Sequence, residues 1–211
     1  MSSIGLGDLQ GIVTRIREIM DAQRDYLIKI DGEMGDGDLG ITMTKAFSAA
    51  DEFLGSQDDG DLGKTLMQMG MQMNKAASST MGTLLATGFM RGGKSVAGKS
   101  ELALADVADL FDAFVNGLME RGRSQAGDKT IIDVMQPAAE ALKNAGEVSL
   151  AEAFSAAYDA AADGLEKTKE MQAQHGRPAY YQEKTVGKPD PGGTAGLYIM
   201  QGFKEYFESA G

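Results

Sequence analysis

The sequence predicts an all-α protein, a bundle of helices, on three observations. Apolar residues recur at helical spacing through most of the chain, no segment of useful length alternates apolar with polar residues, and glycine-rich stretches separate the helical segments. The first helix follows from Leu9, Ile12, Val13, Ile16, Ile19 and Met20, continued by Leu27, Ile28 and Ile30, so one long helix is expected to end at Asp31. After a glycine-rich stretch, "ITMTKAFSAADEFL" reads as a second helix, and Gly55 to Gly60 as a turn. "LGKTLMQMGMQMNKAA" is rich in good helix formers, and its methionines read as adaptable core. Ser78 to Gly82 breaks the chain with capping residues before the next helix, which continues to Val96. Ser100 is the expected N-cap of "ELALADVADLFDAFVNGLMERG", which ends at Gly122. "DKTIIDVMQPAAEALKNAG", "SLAEAFSAAYDAAADGLEKTKEMQAQ" and "GGTAGLYIMQGFKEYFESA" complete a set of about eight helices. The β-branched runs "TII" and "TVG" are too brief to build a sheet.

A chain of 211 residues can bury one substantial core, and a single domain spanning 1–211 is the expectation. No apolar run reaches the roughly 18 to 20 residues that span a bilayer. The start, "MSSIGLGDLQ", has no basic region followed by an apolar one, so a soluble, cytoplasmic protein is expected. There is no cysteine, which removes disulfides, thiolate metal sites and a thiol nucleophile. The sole histidine, His175, makes a Ser-His-Asp triad or a multi-histidine metal site a poor reading. A formal charge of -11 repels the phosphate backbone of nucleic acid and an anionic membrane surface, so neither is an expected partner. An acidic chain that binds a phosphate ligand needs a cation between them.

"DGEMGDGDLGITM", Asp31 to Met43, holds the richest chemistry. Gly35, Gly37 and Gly40 have the G-x-G-x-x-G spacing of dinucleotide loops, but a helix precedes them where that motif requires a strand. An EF-hand also fails, because counting from Asp31 places Gly35 at position 5 and Asp36 at position 6. Asp31, Asp36 and Asp38 could instead converge on a hard cation such as Mg²⁺ that bridges to phosphate. A solvated acidic turn capping the next helix explains the same residues, and the residues alone leave these two readings equally open.

Three further segments are candidates. "SSTMGT", Ser78 to Thr83, offers hydroxyls and free N–H groups to an anion, although ordinary capping accounts for them. In "AGDKTIID", Asp128 or Thr130 reads as a cap and Lys129 as a cation facing phosphate. Gln174 to Gly193 is an irregular stretch whose Arg177, Lys184 and Lys188 suggest a lid over an anion.

Together, "GDGDLG", "GDKTIIDVMQPAAEAL" and "MQAQHGRPAYYQEKTVGKPDPGGT", in this order, resemble the nucleotide-binding L subunit of bacterial dihydroxyacetone kinase from about Ile16 to Phe207. The resemblance implies an antiparallel eight-helix barrel with the nucleotide at one end. It implies Mg²⁺ on Asp31, Asp36 and Asp38, and ADP or ATP phosphates beside Leu39, Gly40, Ile41 and Thr42 and the turn at Thr80 and Met81. Gly122, Ile131, Arg177, Asp190, Pro191 and Gly192 match positions around the adenosine. The implied partners are a separate K subunit that holds the ketose and a phosphotransferase-system M subunit as phosphoryl donor, with a homodimer left open. Two positions depart from the family pattern. Leu39 stands where a histidine is usual, and Ser78 to Gly82 replaces the usual G-G-A-S-G turn. These departures keep two alternatives in view, a nucleotide-binding regulatory paralogue without phosphoryl transfer and a kinase subunit for another short sugar.

Overall fold

The computed structural model describes residues 2–58 and 60–209. Its α-helices are α1 (Leu6–Ala22), α2 (Arg24–Gly32), α3 (Leu39–Leu54), α4 (Leu62–Ala76), α5 (Thr80–Ser95), α6 (Leu104–Gly122), α7 (Ile132–Lys143), α8 (Leu150–Thr168) and α9 (Pro191–Ser209). A 3-10 segment covers Pro178–Thr185, and strands β1 (Ser3–Ile4) and β2 (Leu102–Ala103) pair antiparallel. The all-α expectation holds. Each of α3 to α8 packs on the next helix in sequence, α8 packs on α9, and α9 packs on α1, which returns to α3. Eight helices thus close a ring, with α2 laid against α3 and α9. No helix among the described residues is long and apolar enough to cross a membrane.

Local chemistry sets the helix starts. Ser79 Oγ accepts from Gly82 N–H at 3.1 Å to open α5, and Asp61 Oδ1 accepts from Lys64 N–H at 3.0 Å to open α4. Ser149 and Glu152 form a capping box at α8. Asp190 Oδ2 accepts from Gly193 N–H at 2.6 Å in the first turn of α9, beside the proline that begins it.

Several expectations need correction. The first long helix is two, broken at Gln23, so that α2 can turn away from α1 and pack on α3 and α9. Ser100 does not cap α6; residues 102–103 pair with β1 instead, and Asp106 takes the Ala103 N–H at 3.1 Å. The helix read from Asp128 begins only at Ile132, and the one read to Gln174 stops at Thr168, whose carbonyl accepts from Lys129 Nζ at 2.6 Å. Glycines are not confined to the connections. Gly63 and Gly93 sit inside α4 and α5, each where a side chain would meet the backbone of the other helix. Met69 and Met73 are fully buried as expected, whereas Met71 is half exposed.

The core is continuous around the ring. Its densest part is a ladder of phenylalanines in which Phe154 stacks on Phe203 (4.7 Å between ring centroids) and Phe207 (5.1 Å) and meets Phe111 edge-on at 5.9 Å.

Candidate functional site

Helices α3, α5, α7 and α9 all begin at one end of the ring, and the first residues of each border a cleft of about 350 Å³. Four helix N-termini therefore bring their partial positive charge to one space. The lining is mixed: Asp31, Asp36, Asp38, Ser79, Thr80 and Arg177 are polar, and Met81, Leu84, Leu118 and Ile131 are apolar.

The carboxylates converge for reasons visible in the loop between α2 and α3. Asp31 lies in the last turn of α2, and its Oδ2 accepts from the Leu39 N–H at the start of α3 at 3.2 Å. Gly35 folds back so tightly that a Cβ would collide with the Asp31 carboxylate, and Gly37 turns the chain at φ 70°. One oxygen from each of Asp31, Asp36 and Asp38 lies within 4.8 Å of the others. Burial, and then the Asp36 and Asp31 charges, push the Asp38 carboxyl above its usual range. Three such carboxylates fit a hard divalent cation, which supplies the charge they lack. Arg177 reaches into the same group, 2.8 Å from Asp36 Oδ2. Replacing Gly35 with Ala is expected to displace Asp31 and weaken divalent-cation affinity about tenfold, the size of effect seen when the support of a metal ligand is removed. Titration with Mn²⁺ followed by electron paramagnetic resonance would measure it.

Lys129 and Asp190 organise another part of the lining. Lys129 adopts a left-handed backbone (φ 60°), is buried, and donates to the Thr168 and Lys188 carbonyls at 2.6 and 2.5 Å. It thereby ties the end of α8 to the segment entering α9, and burial lowers its own pKa. Asp190 is 7% exposed, and burial pushes its carboxyl up to about 7 against the opposing pull of the Gly193 N–H and Lys129. A carboxyl raised in the folded state stabilises the fold when protonated, and that contribution is lost as pH rises through about 7. The Asp190→Asn variant is therefore expected to gain stability relative to the wild type between pH 4 and pH 7. Urea unfolding at several pH values would show the difference widening with pH.

Among the positions expected at the site, Asp31, Asp36, Asp38, Leu39, Thr80, Met81, Gly122, Ile131, Arg177, Asp190, Pro191 and Gly192 all border the cleft. Gly40, Ile41 and Thr42 do not. Gly40 faces α2, where a Cβ would strike the Arg24 carbonyl; Ile41 is exposed on the outside; Thr42 is buried and donates to Ser79 Oγ at 3.1 Å. Hydrogen bonds and an ion pair tie the segment 174–190 to its surroundings. Thr185 Oγ1 accepts from Ala173 N–H at 3.0 Å, Gly187 N–H donates to the Lys169 carbonyl at 2.7 Å, and Lys188 pairs with Glu33. Lys184, Lys188 and Asp128 do not border the cleft, whereas Thr130 does, and its Oγ1 accepts the Ile132 N–H at 3.2 Å.

Leu84, Leu118 and Ser124 border the cleft although no motif marked them. Helical spacing held the signal for two, since Leu84 is one turn beyond Thr80 and Leu118 one turn before Gly122. His175 also borders the cleft; its Nε2 lies 2.8 Å from Asp128 Oδ2. Burial opposes the charge on Asp128, but the Gln125 N–H and His175 outweigh it and hold the carboxyl below its usual range.

A cleft bordered by three converging carboxylates and four helix N-termini in an all-helical ring defines the class, and comparison with known proteins defines the family. The model of the DAK2 domain matches residues 33–205, and the chain belongs to that family. It is 33% identical over 191 residues to the ADP-binding subunit DhaL of the PEP-dependent dihydroxyacetone kinase of Escherichia coli (strain K12), covering 90% of this chain and 91% of that one. It is 29% identical to the corresponding subunit of kinase 2 of Listeria innocua, covering 91% and 90%. L-erythrulose 1-kinase of Mycolicibacterium smegmatis is also 29% identical, but this chain spans only 35% of it. The dihydroxyacetone kinase of C. freundii shares the fold, with a TM-score of 0.73 at 22% identity, over 93% of this chain and 34% of the solved one. The structure of that kinase with AMP-PNP and Mg²⁺ aligns with a TM-score of 0.70 at 24% identity.

Proposed function

We propose that this chain is the nucleotide-binding subunit of a dihydroxyacetone-type kinase, with an adenine nucleotide, ADP or ATP, in the cleft. The observation that carries the reading is the convergence of Asp31, Asp36 and Asp38 within a cleft bordered by four helix N-termini. Carboxylates alone would repel phosphate; with a divalent cation between them, the same groups attract it. Similarity to ADP-binding subunits along nearly their whole length supports the assignment.

Asp31, Asp36 and Asp38 would hold Mg²⁺, which supplies Lewis-acid neutralisation of phosphate charge. The N–H groups at the start of α5, with the Ser79 and Thr80 hydroxyls, are placed to bind phosphate oxygens. Met81, Leu84, Leu118 and Ile131 form an apolar surface for a base, and Gly122 and Gly192 let Ser124 and Met81 pack where a Cβ would collide. Arg177 is close enough to the carboxylates to share their phosphate. The scheme calls for no protein nucleophile, which suits phosphoryl transfer, where positioning and charge stabilisation do most of the work. The acceptor is a small ketose presented by a separate K subunit, and a phosphotransferase-system M subunit is the donor that recharges ADP.

The test is reconstitution. This chain, mixed with a ketose-binding K subunit and a phosphoryl donor, should convert dihydroxyacetone to its phosphate, and neither protein alone should do so. Mg-nucleotide binding without product in any such mixture would favour a regulatory role, and product from L-erythrulose alone would move the acceptor to a four-carbon ketose.

A further inference from the structure

The nitrogen-bearing side chains of the cleft are unequally committed. Asp31, Asp36, Asp38 and Asp190 border it against Lys129, Arg177 and His175. Lys129 directs its ammonium at two backbone carbonyls, and Arg177 pairs with Asp36. His175 is bonded through Nε2 alone, and Nδ1 has no partner among the described residues.

The one partner of the ring and the backbone before it are themselves held. Asp128 Oδ2, its partner, is fixed by the Gln125 N–H at 2.9 Å, and the Asp128 carbonyl accepts from Gln174 N–H at 3.1 Å, on the residue before the histidine. Gly176, at φ 65°, then turns the chain so that Arg177 and Pro178 also border the cleft. A lone surface histidine would not need this support, and a core histidine would not be 37% exposed in its side chain.

We infer that His175 is a phosphate-contacting residue of this site, donating from Nδ1 to a nucleotide phosphate oxygen while Asp128 holds the ring through Nε2. The inference rests on the nucleotide reading above and adds a contact from the same stretch of the lining that carries Arg177. An imidazolium donates from both nitrogens, so it can satisfy Asp128 and a phosphate together. Asp128 is a positioning residue in this scheme.

Titration calorimetry with Mg-ADP on the wild type, His175→Ala and His175→Lys tests it. Loss of one charge-assisted hydrogen bond should weaken Mg-ADP about tenfold in His175→Ala. Lysine, a point charge on a flexible stem, should restore most of the affinity without reproducing the bond to Asp128 in its original geometry. Affinity in His175→Ala within about twofold of wild type would overturn the inference, being far below the effect of a charged hydrogen bond. So would a loss that His175→Lys fails to restore, since the residue would then only support the loop. A wild-type protein that ignores Mg-ADP would defeat the nucleotide reading itself, a result distinct from either.

Discussion

Asp36→Asn is expected to weaken Mg-ADP binding at least about 100-fold, close to 3 kcal/mol, while the helical content stays unchanged. Asp36 is one of three carboxylates whose oxygens converge within 4.8 Å, and it also pairs with Arg177. Asparagine keeps an oxygen but loses the charge that a hard cation requires, and it releases the guanidinium from its partner. The fold does not depend on it, because Asp36 is exposed and its ion pair is with a largely exposed arginine. Far-ultraviolet circular dichroism would confirm that, and calorimetric titration would give the affinity. Unchanged Mg-ADP affinity would remove the aspartate cluster from the binding site.

Phe154→Ala is expected to cost about 4 kcal/mol of stability, read as a lower urea midpoint with an unchanged slope. Phe154 is fully buried on α8 and contacts rings from α6 and α9, so its removal leaves a cavity that three elements share. Rings held in stacked and edge-on contact on separate helices cannot readily collapse into the gap. Phe154→Leu should lose markedly less, because it returns most of the volume. A cost below about 1 kcal/mol for alanine would mean that the ladder rearranges freely.

Helix existence was legible because an amphipathic period depends only on which residues face the core. Leu9, Ile12, Val13 and Ile16 announced α1 without reference to any neighbour. The break at Gln23 was not legible, since no glycine or proline marks it and its cause is the packing of α2 on α3 and α9. Ser100 looked like a cap, but the choice between capping and pairing was made by Ser3 and Ile4, nearly a hundred residues away.

The candidate site divides in the same way. The aspartate loop could be read as a metal loop or a capping turn, and tertiary structure shows features of both: Asp31 accepts the first N–H of α3 and also joins the carboxylate cluster. Gly40 shares the motif's spacing but serves the crossing of α2 and α3. Lys129 looked like a free cation for phosphate, and only the fold reveals the two carbonyls that bind it. His175 lay in a stretch read as a lid, but its own role was not legible because its partner Asp128 lies in a different segment.

The central claim is a nucleotide site that works through a cation, and titration of ADP into the protein in Mg²⁺ and again in EDTA tests it most directly. Saturable binding in Mg²⁺ that disappears in EDTA is the expected result. Equal affinity in both, or heat from neither, would contradict it.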